Sequence, residues 1–291
     1  MPFYTRVGIT IELFIAEKFQ IMKKILMVAL VAAGLVSCSK NPITGRNQLT
    51  LFSESEIQTM ASQEYQQFLA QNKVVNTSAN KDAEMVRRIG QRIASAVTSF
   101  YNSKGLSNEL AGYQWEYNLV DSKEANAWCM PGGKIVVYTG LLPITQNEAA
   151  LAVVMGHEVA HALAKHGNER MSQGMVQQLG GAALSVALAN KPSETQSIFQ
   201  SAYGLGTTYG AMLPFSRSNE LEADKYGLYF CAMAGYNPQE AIPLWERMAA
   251  ASGGNRPPEF ASTHPAEETR IKKLKEMMPE ALKYYKPVGS K

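Results

Sequence analysis

Histidine and cysteine are scarce in this chain: its 291 residues hold four histidines and three cysteines. No spacing among Cys38, Cys129 and Cys231 offers the paired thiolates of a closed structural zinc site. Charge of one sign is scarce as well, and a formal net charge of +3 at pH 7 excludes the strongly basic face of a nucleic-acid binder. Long apolar runs are missing, since those within Met22–Val36 and Ala182–Ala189 fall short of the ~20 residues that span a bilayer. There is no internal repeat. What remains, at 46% hydrophobic content, is the composition of one globular domain with a real core, or at most two small ones.

Against that scarcity, two of the histidines stand together in Met155-Gly156-His157-Glu158-Val159-Ala160-His161. Residues i and i+4 lie one turn apart on one helical face, so both imidazoles can reach a single metal ion. The intervening Glu158 falls where it can accept a proton from a water on that metal. Two histidines leave a tetrahedral zinc short of a third protein ligand, which a carboxylate elsewhere can supply. Glu220, in Asn219-Glu220-Leu221-Glu222-Ala223-Asp224, is the expected third ligand. Asp224, one turn on, is its outer-shell companion, accepting the second ring N–H of His157 or His161. Glu222 points elsewhere on that helix and reads as solvated; His166 reads as a helix-end residue favoured by the dipole.

The start of the chain reads as an address. Met22-Lys23-Lys24-Ile25 begins a basic then apolar segment that ends at Leu35-Val36-Ser37-Cys38, the organisation of a secretory signal and similar to a bacterial lipobox. The expectations are a misassigned extension over 1–21, a lipoprotein signal peptide over 22–37, lipidation of Cys38, a lipidated tether over 38–50 and a metallopeptidase domain over 51–291. Removing residues 1–37 takes four basic and two acidic side chains from 28 and 25, leaving 24 against 23 and no nucleic-acid partner. Ser39 after the lipid cysteine leans toward the outer membrane, with the protein facing the periplasm of a bacterial cell envelope.

The fold expected is α+β and predominantly helical, zincin-like, with a small sheet next to the HExxH helix. Ser53 to Glu56 is a capping box opening a helix to about 71, and a second helix runs over about 81–101. Strands are expected over 113–120 and 134–138, with Pro131-Gly132-Gly133 as the turn before the second. Downstream, helices are expected over 151–166 with Gly167 as the stop and an apolar side facing the core, over 171–189, 193–213 and 216–234, and from about 265. Cys231 reads as a small core hydrophobe, and a disulfide between Cys129 and Cys231 stays open.

These motifs, in this order, resemble a gluzincin zinc metalloendopeptidase family, the HtpX, CAAX prenyl protease and BepA type, in a lipoprotein form without a tetratricopeptide region. The resemblance also covers Asn41-Pro42-Ile43-Thr44-Gly45-Arg46, Asn126-Ala127 with Pro131-Gly132-Gly133, Tyr138-Thr139-Gly140-Leu141 and Ser262-Thr263-His264-Pro265 with Arg270. It implies one zinc per chain on His157, His161 and Glu220, with Glu158 as general base and Asp224 behind the ligands. It further implies that His264 either fills the open coordination position or helps hold the reacting carbonyl, and that Arg270 lies near the site. Asn126, Gly132 and Gly133 become candidate substrate-binding residues, beside an open edge of 134–138 or 126–130 on which an extended peptide adds as a strand.

The activity so implied is membrane-anchored endopeptidase action on unfolded or misassembled envelope proteins, a quality-control role with protein or peptide substrates. A lipid-tethered chaperone or assembly factor, its zinc site latent under His264, is the alternative. A purely structural zinc site is the third reading.

Overall fold

The computed structural model describes residues 38–179, 216–252 and 268–287, with isolated positions 18, 195, 260 and 264. The helices expected over 193–213 and over the second half of 171–189 lie outside the described residues. Among the described residues, no helix is long and apolar enough to cross a membrane.

The chain enters through β1 (Cys38–Lys40) and β2 (Asn47–Leu49), an antiparallel pair with Cys38 opposite Leu49 and Lys40 opposite Asn47. A short lipidated tether was expected over 38–50. Instead Asn41 and Gln48 are each 1% exposed, and both donate to the carbonyl of Ala164, at 2.9 and 2.7 Å. Helix α1 (Glu54–Gln71) begins at the expected capping box: Ser53 Oγ accepts from the Glu56 backbone N–H, and Glu56 accepts from the Ser53 N–H at 2.8 Å. Helix α2 (Lys81–Ser103) is capped by Asn80 and buries Val86, Ile89, Ile93 and Val97 along one stripe.

The main sheet orders its strands β3-β5-β4, where β3 is Glu116–Val120, β4 is Ala127–Met130 and β5 is Lys134–Tyr138. Strand β5 is central, parallel to β3 and antiparallel to β4. It therefore has no free edge, and of the segments expected to receive a peptide only β4 sits at the sheet's border. Side chains alternate across the sheet. Leu119, Ala127, Cys129, Ile135 and Val137 join a large core with α2 and the later helices. Val120, Trp128, Met130, Val136 and Tyr138 pack on Ile57, Ala61 and Tyr65 of α1.

Helix α3 (Glu148–Leu163) follows, then α4 (His166–Leu179), α5 (Arg217–Met233), α6 (Ala241–Ser252) and α7 (Glu268–Leu282). Helix α3 stops before the expected Gly167, because Lys165 takes a left-handed conformation, φ 58°, and turns the chain. His166 thus opens α4 rather than closing α3, which removes the dipole argument for it. Helices α3 and α5 touch at Gly156 and Gly227, where a Cβ on Gly227 would meet the His157 Cα at 2.8 Å. Only glycine permits that approach, and it brings the carboxylates of α5 against the imidazoles of α3.

Candidate active site

Helix α3 is capped by Asn147, whose Oδ1 accepts from the Ala150 N–H at 2.8 Å, and it is buried on all sides rather than on one. His157, Glu158 and His161 are 2%, 4% and 4% exposed, so each polar atom needs a partner. The imidazoles find one another. His157 Nε2 lies 3.0 Å from His161 Nε2 and 3.2 Å from His264 Nδ1. Glu220 Oε1 lies 2.8 Å from His264 Nδ1 and 3.4 Å from His161 Nε2, and Glu220 Oε2 is 3.5 Å from His157 Nε2. Donor atoms of these residues all fall within 4.8 Å of one another.

That arrangement fits a metal ion. Ligands about 2.0–2.1 Å from a tetrahedral zinc stand ~3.3 Å apart, in the range of these spacings. The donor set, imidazole nitrogens and a carboxylate with no thiolate, suits zinc. Glu158 lies beside the cluster with its Oε1 buried and lacking a hydrogen-bond partner, 3.5 Å from His264 Nε2. Burial pushes its carboxyl above the usual carboxylate range.

Behind His157 stands a charged pair. His157 Nδ1 is 3.0 Å from Asp224 Oδ1, and Arg270 holds Asp224 with two bonds of 2.7 Å. Burial alone would lower the His157 imidazole, but hydrogen bonds to Asp224 and Glu220 outweigh it and raise its pKa to about 9 in the metal-free chain. Burial would raise the Glu220 and Asp224 carboxyls, yet the cations around them hold both below the usual range. Arg270 was expected near the site, and it is there. Its guanidinium is 5% exposed, reaches Glu220 Oε2 at 2.8 Å and lies 3.6 Å over the Trp245 ring, so it is committed to the carboxylates behind the cluster.

Behind His161 the partner is the remaining imidazole, His166, with the two Nδ1 atoms 3.0 Å apart. His166 Nε2 meets Glu222 Oε2 at 2.9 Å, and Glu222 Oε1 accepts from Arg46 Nε at 2.8 Å. Sequence reasoning missed this series of contacts, treating Glu222 as solvated and His166 as a helix end. One signal could have found it: with four histidines in all 291 residues, a third one within a turn and a half of the HExxH pair is unusual company. Burial lowers both His161 and His166.

His264 is held in place by aromatic stacking. Its ring lies on Phe260 at 4.6 Å and Phe260 on Trp245 at 5.8 Å, while its backbone N–H donates to the Phe260 carbonyl at 2.9 Å. The candidate substrate residues are placed differently. Asn126 is buried; its carbonyl accepts from the Tyr138 N–H at 3.0 Å and its Oδ1 from the Ala127 N–H at 2.8 Å. Gly132 and Gly133 form the turn between β4 and β5 with φ 80° and 82°, and their carbonyls accept from Gln114 and Glu116 at 2.9 and 3.0 Å. All three are engaged in shaping the sheet. Cys129 and Cys231 are buried and free, so no disulfide joins them. Cys38 begins β1.

Residues 80–278 match peptidase family M48. The mitochondrial metalloendopeptidase OMA1 of Schizosaccharomyces pombe is 35% identical over 68% of this chain and 59% of its own length. The human metalloendopeptidase OMA1, mitochondrial, is 29% identical over 84% of this chain and 46% of its own. The beta-barrel assembly-enhancing protease of Escherichia coli is 30% identical over 54% of this chain and 33% of its own. The chain thus spans about half the length of the curated relatives it matches. Placement as a bacterial outer-membrane lipoprotein facing the periplasm is overturned, because the OMA1 relatives it matches are mitochondrial proteins of eukaryotes. With HEVAH and Glu220 brought to one point and the family match running through both, this chain belongs to peptidase family M48.

Proposed function

We propose that the protein is a zinc-dependent endopeptidase that cleaves exposed, unfolded or loop segments of protein substrates. The observation that carries this is the convergence of His157, His161 and Glu220 on one point with the buried carboxylate of Glu158 beside it. When bound, zinc supplies a Lewis acid that acidifies a water and polarises a peptide carbonyl. Glu158 accepts the proton as that water attacks, and returns it to the leaving amine as the C–N bond breaks. Its unpartnered oxygen and raised pKa suit a group that takes and gives a proton within one cycle. The border strand β4 is the segment on which an extended peptide would pair, and main-chain pairing favours unfolded segments over one strict sequence.

A peptide assay on the zinc-loaded chain tests this: turnover falls by at least ~100-fold in Glu158→Gln while zinc stays bound. Undiminished turnover in that variant removes Glu158 from its role.

A second reading, a latent site in a chaperone or assembly factor, is favoured by the position of His264, whose Nδ1 occupies the fourth corner of the cluster. A catalytic zinc keeps that corner for water, so opening requires the His264 ring to leave it. His264→Ala that cleaves faster supports closure by His264, and His264→Ala that loses turnover supports a part in the reaction itself.

A further inference from the structure

We propose that Arg46, Glu222 and His166 form a one-way hydrogen-bond relay that fixes the tautomer of His161, making the N-terminal β1–β2 hairpin a positioning element of the metal site. This rests on reading the cluster as a zinc site.

The direction of the relay follows from which atoms can donate. Arg46 has only donors, and it gives Nε–H to Glu222 Oε1 at 2.8 Å and both Nη groups to Glu169 at 2.7 and 2.6 Å. An ionised Glu222 has only acceptors, so its other oxygen, 2.9 Å from His166 Nε2, must receive a proton from that ring. A neutral His166 with its hydrogen on Nε2 carries a lone pair on Nδ1. That lone pair faces His161 Nδ1 at 3.0 Å, so His161 must donate from Nδ1. The remaining lone pair of His161 is then on Nε2, the atom that meets His157 and Glu220. Every link from Arg46 inward leaves one outcome for the ring that faces the metal.

The anchor of this relay is held as firmly as its end. Glu169 also accepts from Asn219 Nδ2 at 3.0 Å, one residue before Glu220. Asn41 Oδ1 accepts from the Ile43 and Thr44 backbone N–H groups at 3.0 and 3.1 Å, and Tyr226 of α5 donates to the Ile43 carbonyl. The turn that carries Arg46 is thereby fastened to α5 and to the end of α3. Outer partners of metal-binding histidines set ring orientation and basicity, and losing one typically costs ~10–100-fold in metal affinity.

Glu222→Gln tests the direction without changing shape. Because Arg46 only donates, the amide oxygen turns to Arg46 and the NH2 turns to His166, which reverses every donor down to His161. Nitrogen-15 NMR of the imidazoles in the metal-free full chain reads the tautomer itself: His161 carries its hydrogen on Nδ1 in the wild type and on Nε2 in Glu222→Gln. Competition with a chromogenic zinc chelator then shows ~10–100-fold weaker binding in the variant, with the metal-free melting temperature near the wild-type value. An unchanged His161 tautomer, or zinc affinity within about threefold of wild type, overturns the relay. A wild-type chain with the Nδ1–H tautomer and no zinc affinity overturns the zinc reading instead. Should Glu222→Gln fail to fold, His166→Gln against His166→Leu carries the same comparison. The amide accepts from His161 and donates to Glu222 and keeps zinc, the alkyl chain does neither and loses it, and equal affinities overturn the proposal.

Discussion

His157 and His161 sit one turn apart on the same buried helix and point at the same place, yet what stands behind them differs in kind. His157 is backed by an ion pair, Asp224 with Arg270, and His161 by another imidazole, with the charge of Glu222 only beyond that ring. Carboxylates behind a ring favour its protonated form and, once a cation replaces that proton, strengthen it as a ligand. An imidazole behind a ring adds no net charge and settles only which nitrogen carries the hydrogen. Within one motif, basicity is tuned on one side and orientation on the other.

The contrast breaks most severely on the charged side. Asp224→Ala leaves Arg270 buried without its bidentate acceptor, and chemical denaturation should show a loss of about 3–5 kcal/mol. A loss below ~1 kcal/mol means that the pair is not taken out of water as the 5% and 2% side-chain exposures indicate. Next in size is Gly227→Ala, which must part α3 from α5 at His157; about 1–3 kcal/mol of stability and measurable zinc affinity are lost together. A variant that keeps wild-type affinity would mean that helix contact is not what seats the carboxylates.

Proton release sharpens the comparison further. The pKa of His157, raised to about 9 without metal, means that at pH 7 zinc must displace a proton from this ring, while burial keeps His161 neutral. Calorimetry in buffers of different ionisation enthalpy should find about one proton released from this site on zinc uptake at pH 7, and none attributable to it in Asp224→Asn. The same shift acts on stability. A raised folded-state value stabilises the metal-free chain fully below its ordinary value of 6.5 and is lost as pH rises through about 9. Melting of the metal-free chain followed over that window should decline, and less so in Asp224→Asn.

The smallest effect lies away from both sides. Ser53→Ala removes the cap of α1 and should cost about 1 kcal/mol while leaving zinc affinity at the wild-type value. Helix α1 packs on the face of the sheet that carries Trp128, Met130 and Val136, so a change in affinity would mean that this layer, too, helps to set the metal site.

The two histidines and the two carboxylates were legible in the sequence because they repeat at helical spacing, His157 with His161 and Glu220 with Asp224, each i and i+4, whereas Arg270 entered only through the family resemblance. The capping box at Ser53 and Glu56 was legible for the same reason, being local chemistry. The relay was not, because it depends on Lys165 turning the chain with φ 58°, an unfavourable conformation for a side-chain-bearing residue that no local pattern announces. Residues 38–50 read as a tether because they follow the lipobox-like Leu35-Val36-Ser37-Cys38. Asn41 and Gln48 are instead buried by partners more than a hundred residues away, a tertiary fact with no periodic signature. Gly132 and Gly133 were legible as a turn, but not that their carbonyls serve β3 and the residues just before it.

Zinc K-edge X-ray absorption on the purified full chain addresses the central claim most directly. The account predicts one zinc per chain with only nitrogen and oxygen neighbours at about 2.0–2.1 Å, imidazole scattering that diminishes in His161→Ala and persists in Glu158→Gln. A sulfur neighbour near ~2.3 Å, or a zinc signal indifferent to His161, would contradict it.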